Sequence, residues 1–201
     1  GIEADWYAYL NAGDLYAPTA FDVIADVAEQ TDADWLCGLH AYFNAHGTVV
    51  HTRLPAGFRR GLIRAGAYGR GLPTLQQEST FWARSLHQTI DFSALRTYHL
   101  AGDAYLWWTF AAGSEPTIIQ ALLGGFTYHG GHLGTSKAEY DAEIERFAGP
   151  LTTKVRAEFP VQRVLWEQPA RVKARMNPRL YLHDTATGSW RSRSGSVTQT
   201  Q

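Results

Sequence analysis

The sequence predicts an α/β fold in which a mixed sheet is flanked by helices. Two observations carry this prediction. Short apolar segments that suit strands alternate with longer segments in which apolar residues recur at helical spacing. In addition, 45% of the 201 residues are apolar and 18% are charged, which is typical of a globular protein with a sizeable core.

The first half of the chain predicts strands that are separated by helices and glycine-containing turns. Pro18 and Thr19 favour the start of a helix, because the φ angle of proline is already helical. Asn44 and Gly47 suit a hairpin turn between two strands, since glycine accepts a positive φ. We expect strands over residues 6–10, 34–42, 49–54 and 79–82, and helices over residues 18–28, 58–67 and 84–87.

The second half contains a segment, residues 103–111, whose aromatic side chains surround the predicted helix almost completely. Such a helix should be deeply packed. Residues 136–147 predict an amphipathic helix, in which Ser136 and Glu139 have the spacing of a capping box. A strand is expected over residues 118–123, and a strand end or loop over residues 126–132.

The single cysteine and the single methionine restrict the class of protein. Cys37 has no partner for an internal disulfide and cannot build a thiolate zinc cage, so we expect a reducing, cytoplasmic setting. No apolar stretch is long enough to cross a bilayer, and no basic and apolar leader opens the sequence. Because Met176 lies far from the start and the apolar first strand needs neighbours on both faces, we expect the downstream portion of a larger domain.

Charge is unevenly distributed along the chain, although the net charge is only −1. Residues 151–201 carry nine Lys and Arg against three Asp and Glu, whereas residues 1–150 carry nine against sixteen. The sequence therefore divides into a main domain, residues 1–150, and a basic C-terminal extension, residues 151–201. The extension either contacts anionic lipid or a polyphosphate, or it is solvated and partly disordered toward its end, where almost nothing is apolar.

Two carboxylates lie where an element begins or ends. The residue types in Asn11-Ala12-Gly13-Asp14 are those of a plain turn, but an Asp at a strand tip can also hold a hard divalent cation. Asp103 follows Gly102 at the start of the aromatic helix, where it is either an N-cap or a general base whose pKa desolvation tunes. The residues alone leave both pairs of alternatives open.

Two further segments combine polar and aromatic side chains. Residues 76–80, QQEST, precede Phe81 and Trp82. This cluster either lines a polar pocket or lies on the surface, because burying it without partners is costly. His129 and His132 are three residues apart but lack the Glu of common helical metal motifs, so a structural role is the commoner one. The chain has no Walker loop, serine elbow or dinucleotide fingerprint.

Five segments form an ordered set: YLNAGD (9–14), DADWLCGLHAYFNAHG (32–47), QQESTFWARSLH (76–87), LAGDAYLWWTFA (100–111) and LLGGFTYHGGHLGTS (122–136). Over residues 6–147 this set resembles the family 2 glycosyltransferases. The resemblance implies part of a GT-A fold, a mixed sheet flanked by helices that lacks the upstream nucleotide-binding strands. The chain by itself is therefore expected to be inactive. Gly13 departs from the pattern, because many members have a further Asp there.

The resemblance also implies roles for individual residues. Asp14 matches the last carboxylate of the motif that binds the metal on the donor diphosphate, and His129 matches the histidine that completes this metal site. Asp103 matches the base that deprotonates the acceptor hydroxyl. The implied cofactor is Mg²⁺ or Mn²⁺. The implied donor- and acceptor-binding residues are Asn11, Gln77, Glu78 and Trp107.

Two functions compete on this basis. The first is inverting, metal-dependent transfer of a sugar from a nucleotide-sugar donor to a glycan or lipid-linked acceptor, as in polysaccharide biosynthesis. The second is a non-catalytic carbohydrate- or surface-binding module that keeps a degenerate GT-A fold. No nucleic-acid partner is expected under either function. If the basic extension contacts lipid, the protein would lie at the inner face of the membrane.

Overall fold

In the computed structural model, which describes residues 3–128 and 137–192, the chain forms two mixed sheets flanked by helices. This architecture confirms the α/β class. The strands are β1 (Trp6–Tyr7), β2 (Leu15–Tyr16), β3 (Trp35–Cys37), β4 (His40–Phe43), β5 (Val49–Arg53), β6 (Thr80–Ala83), β7 (Thr117–Ile119), β8 (Gly124–Thr127), β9 (Leu180–Asp184) and β10 (Ser189–Ser192). The helices are α1 (Ala20–Gln30), α2 (Arg60–Arg64), α3 (Arg84–His87), α4 (Phe92–Leu95), α5 (Gly102–Phe110), α6 (Lys137–Ala148), α7 (Thr153–Ala157), α8 (Phe159–Glu167), α9 (Ala170–Met176) and a 3-10 turn, Gln77–Ser79.

Both sheets combine parallel and antiparallel pairs. The larger sheet has the order β1-β6-β3-β7-β9-β10, in which β7 is parallel to both β3 and β9 and the other neighbours are antiparallel. The smaller sheet has the order β2-β8-β4-β5, in which β4 and β8 are parallel and the other neighbours are antiparallel. The chain therefore passes repeatedly between the two sheets.

One such passage occurs at Gly38, where the sequence predicts a single strand over residues 34–42. The structure has two strands there, β3 in the larger sheet and β4 in the smaller one. A Cβ at Gly38 would lie 2.7 Å from Leu123 Cγ and 2.8 Å from the carbonyl oxygen of Ala121. The sequence pattern of residues 34–42 did not indicate this break, because a glycine that is needed for close packing leaves no periodic signal.

Side chains that alternate along the central strands divide the core into two layers. In β3, Trp35 and Cys37 face the cluster that contains α5, whereas Leu36 faces the cluster that contains α1. The larger sheet is therefore covered by a helix on each face. The same alternation places Trp82 and Ile118 on the α5 side, and Phe81 and Ile119 on the α1 side.

Helix α5 is buried on most sides, as its aromatic pattern predicts. The ring of Trp107 stacks on that of Trp35, with centroids 5.8 Å apart. Trp108 lies on the half-buried side, where the guanidinium carbon of Arg64 is 3.7 Å from its ring centroid. This packing holds the first turn of α5, which contains Asp103, against the sheet.

The segment predicted to be a basic extension contributes to the same sheet as far as residue 192. β9 pairs in parallel with β7, and β10 forms the edge beside it. Leu180 is buried in one core cluster and Trp190 in the other. Residues 193–201 lie outside the described residues. In the described ranges, no helix combines the length and apolar character that crossing a bilayer requires.

Candidate functional site

The chain forms a tight turn between β1 and β2. The backbone N–H of Asp14 donates to the carbonyl of Asn11 at 3.1 Å, and Gly13 has a φ of 99°. Glycine adopts this φ without strain, so a further Asp at position 13 would be disfavoured here. The interpretation of residues 11–14 as a turn is therefore correct for the backbone. The side chain of Asp14 takes no part in the turn and binds the backbone of another segment.

Asp14 ties this turn to the end of a strand in the smaller sheet. Its surface is only 8% exposed, and its Oδ1 accepts the backbone N–H of Thr127, the last residue of β8, at 2.8 Å. The hydroxyl of Thr127 is also buried and has no hydrogen-bond partner among the described residues. An unused hydroxyl oxygen thus lies on the residue whose backbone binds the Asp14 carboxylate.

The carboxyl group of Glu78 meets that of Asp14. Glu78 lies in the 3-10 turn, is 4% exposed, and forms a side-chain hydrogen bond with Asp14. Burial, followed by the negative charges of Asp14 and Asp103, raises the pKa of Glu78 to about 8. At neutral pH the Glu78 carboxyl therefore carries a proton and can donate it to the Asp14 carboxylate.

The rest of segment 76–80 is buried as well, which excludes a surface position for this polar cluster. Gln76 uses both ends of its amide, because Oε1 accepts the N–H of Ala41 and Nε2 donates to the Ala41 carbonyl, each at 2.8 Å. This pair satisfies the backbone of β4. Gln77 is also buried, and its Nε2 has no partner in the described part of the chain.

Asp103 lies in the first turn of α5 and lines a narrow cleft whose volume of about 20 Å³ holds about one water molecule. Trp107, Tyr68 and Tyr140 contribute to the walls of the same cleft. Burial raises the pKa of Asp103 to about 6. A carboxylate with this pKa is mostly ionised at neutral pH and is still basic enough to accept a proton from a hydroxyl group in a transition state.

Asp103 is the second residue of α5 and not its N-cap, so the N-cap interpretation of Asp103 is wrong. The residue at the cap position is Ala101, which provides no side-chain cap. Glu143 of α6 accepts the backbone N–H groups of His99, Leu100 and Ala101 at 2.9–3.0 Å. Its burial acts to raise its pKa, but these three donors outweigh burial and lower it. Glu143 therefore holds the turn that positions Asp103.

Two tyrosines that the sequence patterns did not single out complete the surroundings of the carboxyl groups. Burial raises the pKa of Tyr9, and the charges of Asp103 and then Glu78 raise it further. Burial and the charge of Asp103 also raise the pKa of Tyr140 in α6. Both phenols are therefore neutral hydrogen-bonding groups. The only sequence signal for Tyr140 was its place in an amphipathic helix, which does not distinguish a site from a core.

The candidate residues fall into two groups. Asp14, Glu78 and Asp103 come from three separate segments. The carboxyl groups of Asp14 and Asp103 lie near enough to Glu78 to influence its ionisation. Trp107 lines the cleft beside Asp103, and its Nε1 has no partner in the described residues. Asn11 is not part of this arrangement, because it is exposed and serves the turn through its carbonyl group. His129 lies outside the described residues.

The residues around Asp14 fit the chemistry of a hard divalent cation. Within the described ranges, no group of three or more His, Cys, Asp or Glu side chains is arranged to hold a metal ion. Mg²⁺, however, is often bound through one or two carboxylates, with phosphate and water as the other ligands. The carboxyl groups of Asp14 and Glu78 and the unpartnered hydroxyl of Thr127 are all oxygen donors. A cation between them would displace the proton of Glu78.

Replacement of Glu78 by Gln should change how stability depends on pH. The folded protein keeps a proton on Glu78 up to about pH 8, whereas the unfolded chain releases it near pH 4.3. Folding therefore takes up a proton between these pH values, and wild-type stability falls as pH rises through this window. Gln retains a donor for Asp14 and does not titrate.

We expect Glu78→Gln to gain stability over wild type progressively from about pH 4.3 to about pH 8, by a few kcal/mol at the upper end. Urea unfolding at several pH values measures this difference. The matched control is Glu29→Gln, which makes the same substitution at an exposed position on α1 outside the site. A constant difference for Glu78→Gln would contradict the buried, protonated carboxyl group.

Comparisons with known proteins add no family to this description. No protein-family model matches the sequence, and no curated protein matches it. The function is therefore inferred from the site itself.

Proposed function

We propose that this protein transfers a sugar from a nucleotide-sugar donor to an acceptor hydroxyl, with a divalent cation as cofactor and inversion at the anomeric carbon. The observation that carries the proposal is that Asp14 and Asp103, from distant segments, both raise the pKa of the buried Glu78, while Asp103 also lines an aromatic cleft. The two mixed sheets flanked by helices are compatible with part of a GT-A fold, and the resemblance of five ordered segments to family 2 glycosyltransferases supports the same proposal.

Asp103 is the proposed general base. It lines the cleft, and its pKa of about 6 suits proton transfer near neutral pH. The indole of Trp107 and the phenol of Tyr140 lie along the same walls. Aromatic rings provide apolar surfaces and fixed polar groups together, which suits an acceptor sugar. Proton removal by Asp103 would let the acceptor oxygen attack from the face opposite the leaving group.

Asp14 and Glu78 are the proposed ligands of Mg²⁺ or Mn²⁺. When bound, the cation would neutralise the charge that develops on the departing nucleoside diphosphate. These side chains would bind it as a carboxylate pair after Glu78 loses its proton, so binding should strengthen as pH rises toward about 8. His129, which the resemblance assigns to the same site, remains a proposed ligand.

One observation favours the alternative function, a non-catalytic carbohydrate-binding module. Asp14 and Glu78 are both more than nine-tenths buried and bonded to each other. A pair of this kind can also be a structural element beneath the cleft. Asp103 and the aromatic walls would then bind a sugar by hydrogen bonds and packing, without any transfer.

A Mn²⁺ titration distinguishes the two functions. We expect calorimetry to detect Mn²⁺ binding to the chain, alone or together with UDP or GDP, and to detect tighter binding at pH 8 than at pH 6. Asp14→Asn should weaken Mn²⁺ binding by at least about tenfold. Asp26→Asn, at an exposed position on α1, removes the same charge outside the site and should have no effect.

The outcomes separate the proposals clearly. Binding of free oligosaccharides without any Mn²⁺ binding would support the non-catalytic module. Mn²⁺ binding that Asp14→Asn leaves unchanged would contradict the proposed metal site. Absence of both Mn²⁺ and oligosaccharide binding would contradict both functions.

A further inference from the structure

Helix α8 presents apolar side chains to water. Val161 and Val164 lie three residues apart, which makes them neighbours on one face of the helix, and each is 60% exposed. The opposite face packs inward through the buried Phe159 and through Trp166, whose ring centroid lies 5.4 Å from that of His40. The core therefore already has its share of α8, and the two valines remain outside it.

Helix α9 extends this exposed surface and adds positive charge to it. Arg171 and Arg175 are exposed and lie four residues apart on one face of α9, and Met176 beside them is 57% exposed. Met176 lines a cavity between α8 and α9 together with Gln168, whose Nε2 donates to the carbonyl of Val164 at 3.0 Å. The exposed residues of the two helices therefore adjoin one another. We call them the α8–α9 surface: Val161, Val164, Arg171, Arg175 and Met176.

The positive charge of this region is not balanced by its own carboxylates. Residues 153–176, which form α7, α8 and α9, contain six Lys and Arg but only two acidic residues, Glu158 and Glu167. Cations of other segments occupy both, because Arg59 pairs with Glu158 and Arg53 pairs with Glu167 at 2.6 Å. In the described part of the chain, neither arginine of the α8–α9 surface has a carboxylate within ion-pair distance. The surface is therefore complementary to a negatively charged partner.

The apolar side chains decide between the possible anionic partners. A polyphosphate or a nucleic acid backbone offers charge alone and would leave the valines and the methionine in water. An anionic lipid bilayer satisfies both parts of the surface, because apolar side chains enter the boundary between headgroups and acyl chains. The long stem of an arginine lets its guanidinium stay at the level of the lipid phosphates.

From these observations we infer that the α8–α9 surface docks on a membrane whose lipids carry negative charge. Val161, Val164 and Met176 enter the boundary region of the bilayer, and Arg171 and Arg175 bind the lipid phosphates. The inference does not rest on the proposed sugar transfer, because none of these residues lines the cleft beside Asp103. Failure of one therefore leaves the other standing.

The first test is co-sedimentation of the chain with lipid vesicles. We expect binding to vesicles of equal parts phosphatidylglycerol and phosphatidylcholine, and binding at least about tenfold weaker to phosphatidylcholine alone. Arg175→Gln should weaken binding to the anionic vesicles about fivefold, and the further change Arg171→Gln should weaken it to a similar extent again. Arg96→Gln, at an exposed position directly after α4, is the matched control and should leave binding unchanged.

The second test measures whether the apolar side chains leave water. Cys37 is the only cysteine of the chain and is buried, so a polarity-sensitive fluorophore can be attached specifically to the variant Val164→Cys. We expect the emission of this label to shift to shorter wavelength when anionic vesicles are added. Val50→Cys, at a position of β5 that is 57% exposed, carries the same label as a control and should show no shift.

The two tests together separate membrane docking from recognition of charge alone. Binding that depends on both arginines, with a shift at position 164 and none at position 50, supports the inference. Absence of binding to the anionic vesicles, or equal binding to both kinds of vesicle, would overturn it. Arginine-dependent binding without a shift at position 164 would overturn it as well, because the surface would then recognise polyanions without inserting its apolar side chains.

Discussion

Gly124→Ala is expected to destabilise the fold by about 3 kcal/mol, because a methyl group at this position has no space to occupy. A Cβ at Gly124 would lie 2.1 Å from the carbonyl oxygen of Glu78 and 3.0 Å from that of Leu15. Both contacts are with backbone atoms, which cannot move away as a flexible side chain can. The methyl group must therefore push β8 away from the 3-10 turn and from β2.

This displacement would reach the candidate site directly. Gly124 separates Glu78 from β2, and β8 ends at Thr127, whose N–H binds Asp14. We therefore expect Gly124→Ala to weaken Mn²⁺ binding as well as stability. For a chain of this size, each kcal/mol lost at the midpoint lowers the Tm by roughly 2–4 °C.

Gly61→Ala is the control for this prediction. Gly61 lies in α2, where a Cβ would have no heavy atom of a neighbouring residue within 4 Å, and its φ is not positive. Alanine is the better helix former, so the substitution should be neutral or stabilise the protein by up to about 1 kcal/mol. Urea unfolding of both variants measures the two effects. If the free energy of unfolding of Gly124→Ala were within about 0.5 kcal/mol of the wild-type value, the close approach of β8 to Glu78 would be incorrect.

In the larger domain that the resemblance implies, with its donor-binding strands present, Asp103→Asn is expected to lower sugar transfer by about 10²- to 10⁴-fold, the range that a positioned general base contributes. The amide is nearly the same size as the carboxylate but cannot accept the proton of the acceptor hydroxyl. Because the first turn of α5 is held by Glu143, the helix start should keep its position in the variant. Binding of the nucleotide-sugar donor should therefore be unchanged while turnover is lost.

The pH profile provides an independent measure of the same role. Asp103 must be ionised to act as a base, and its pKa is about 6. At a Mn²⁺ concentration that saturates the site at each pH, wild-type turnover should thus fall about tenfold for each pH unit below 6, and the residual activity of Asp103→Asn should lack this dependence. Asp22→Asn, in the exposed first turn of α1, is the matched control and should keep the wild-type profile. Unchanged turnover in Asp103→Asn would remove Asp103 from the base role.

Patterns along the sequence were sufficient for much of the fold. Helix α1 begins directly after Pro18 and Thr19, helix α3 spans the predicted residues 84–87, and α5 is buried as its aromatic residues indicate. In each case the signal is local, since a helix start or an apolar periodicity depends on neighbouring residues. The break at Gly38 and the sheet position of β9 escaped prediction because they depend on contacts between distant segments.

The candidate site also combines features that the sequence indicates with features that depend on contacts between distant segments. The resemblance alone assigned site roles to positions 14, 78 and 103, because turns and helix caps commonly use the same acidic residues. The pairing of Glu78 with Asp14 was not predictable, since these residues are far apart in the chain and their contact depends on the close approach that Gly124 permits. The hydrogen bonds of Glu143 to the chain before α5 were not predictable either, because Glu143 belongs to an ordinary amphipathic pattern.

Local order therefore follows from the amino-acid sequence directly: which segments become helices or strands, where turns occur, and which side chains carry reactive groups. Packing alone determined which carboxyl group holds a proton, because the pKa values of Glu78 and Asp103 depend on how completely the folded chain removes water from them.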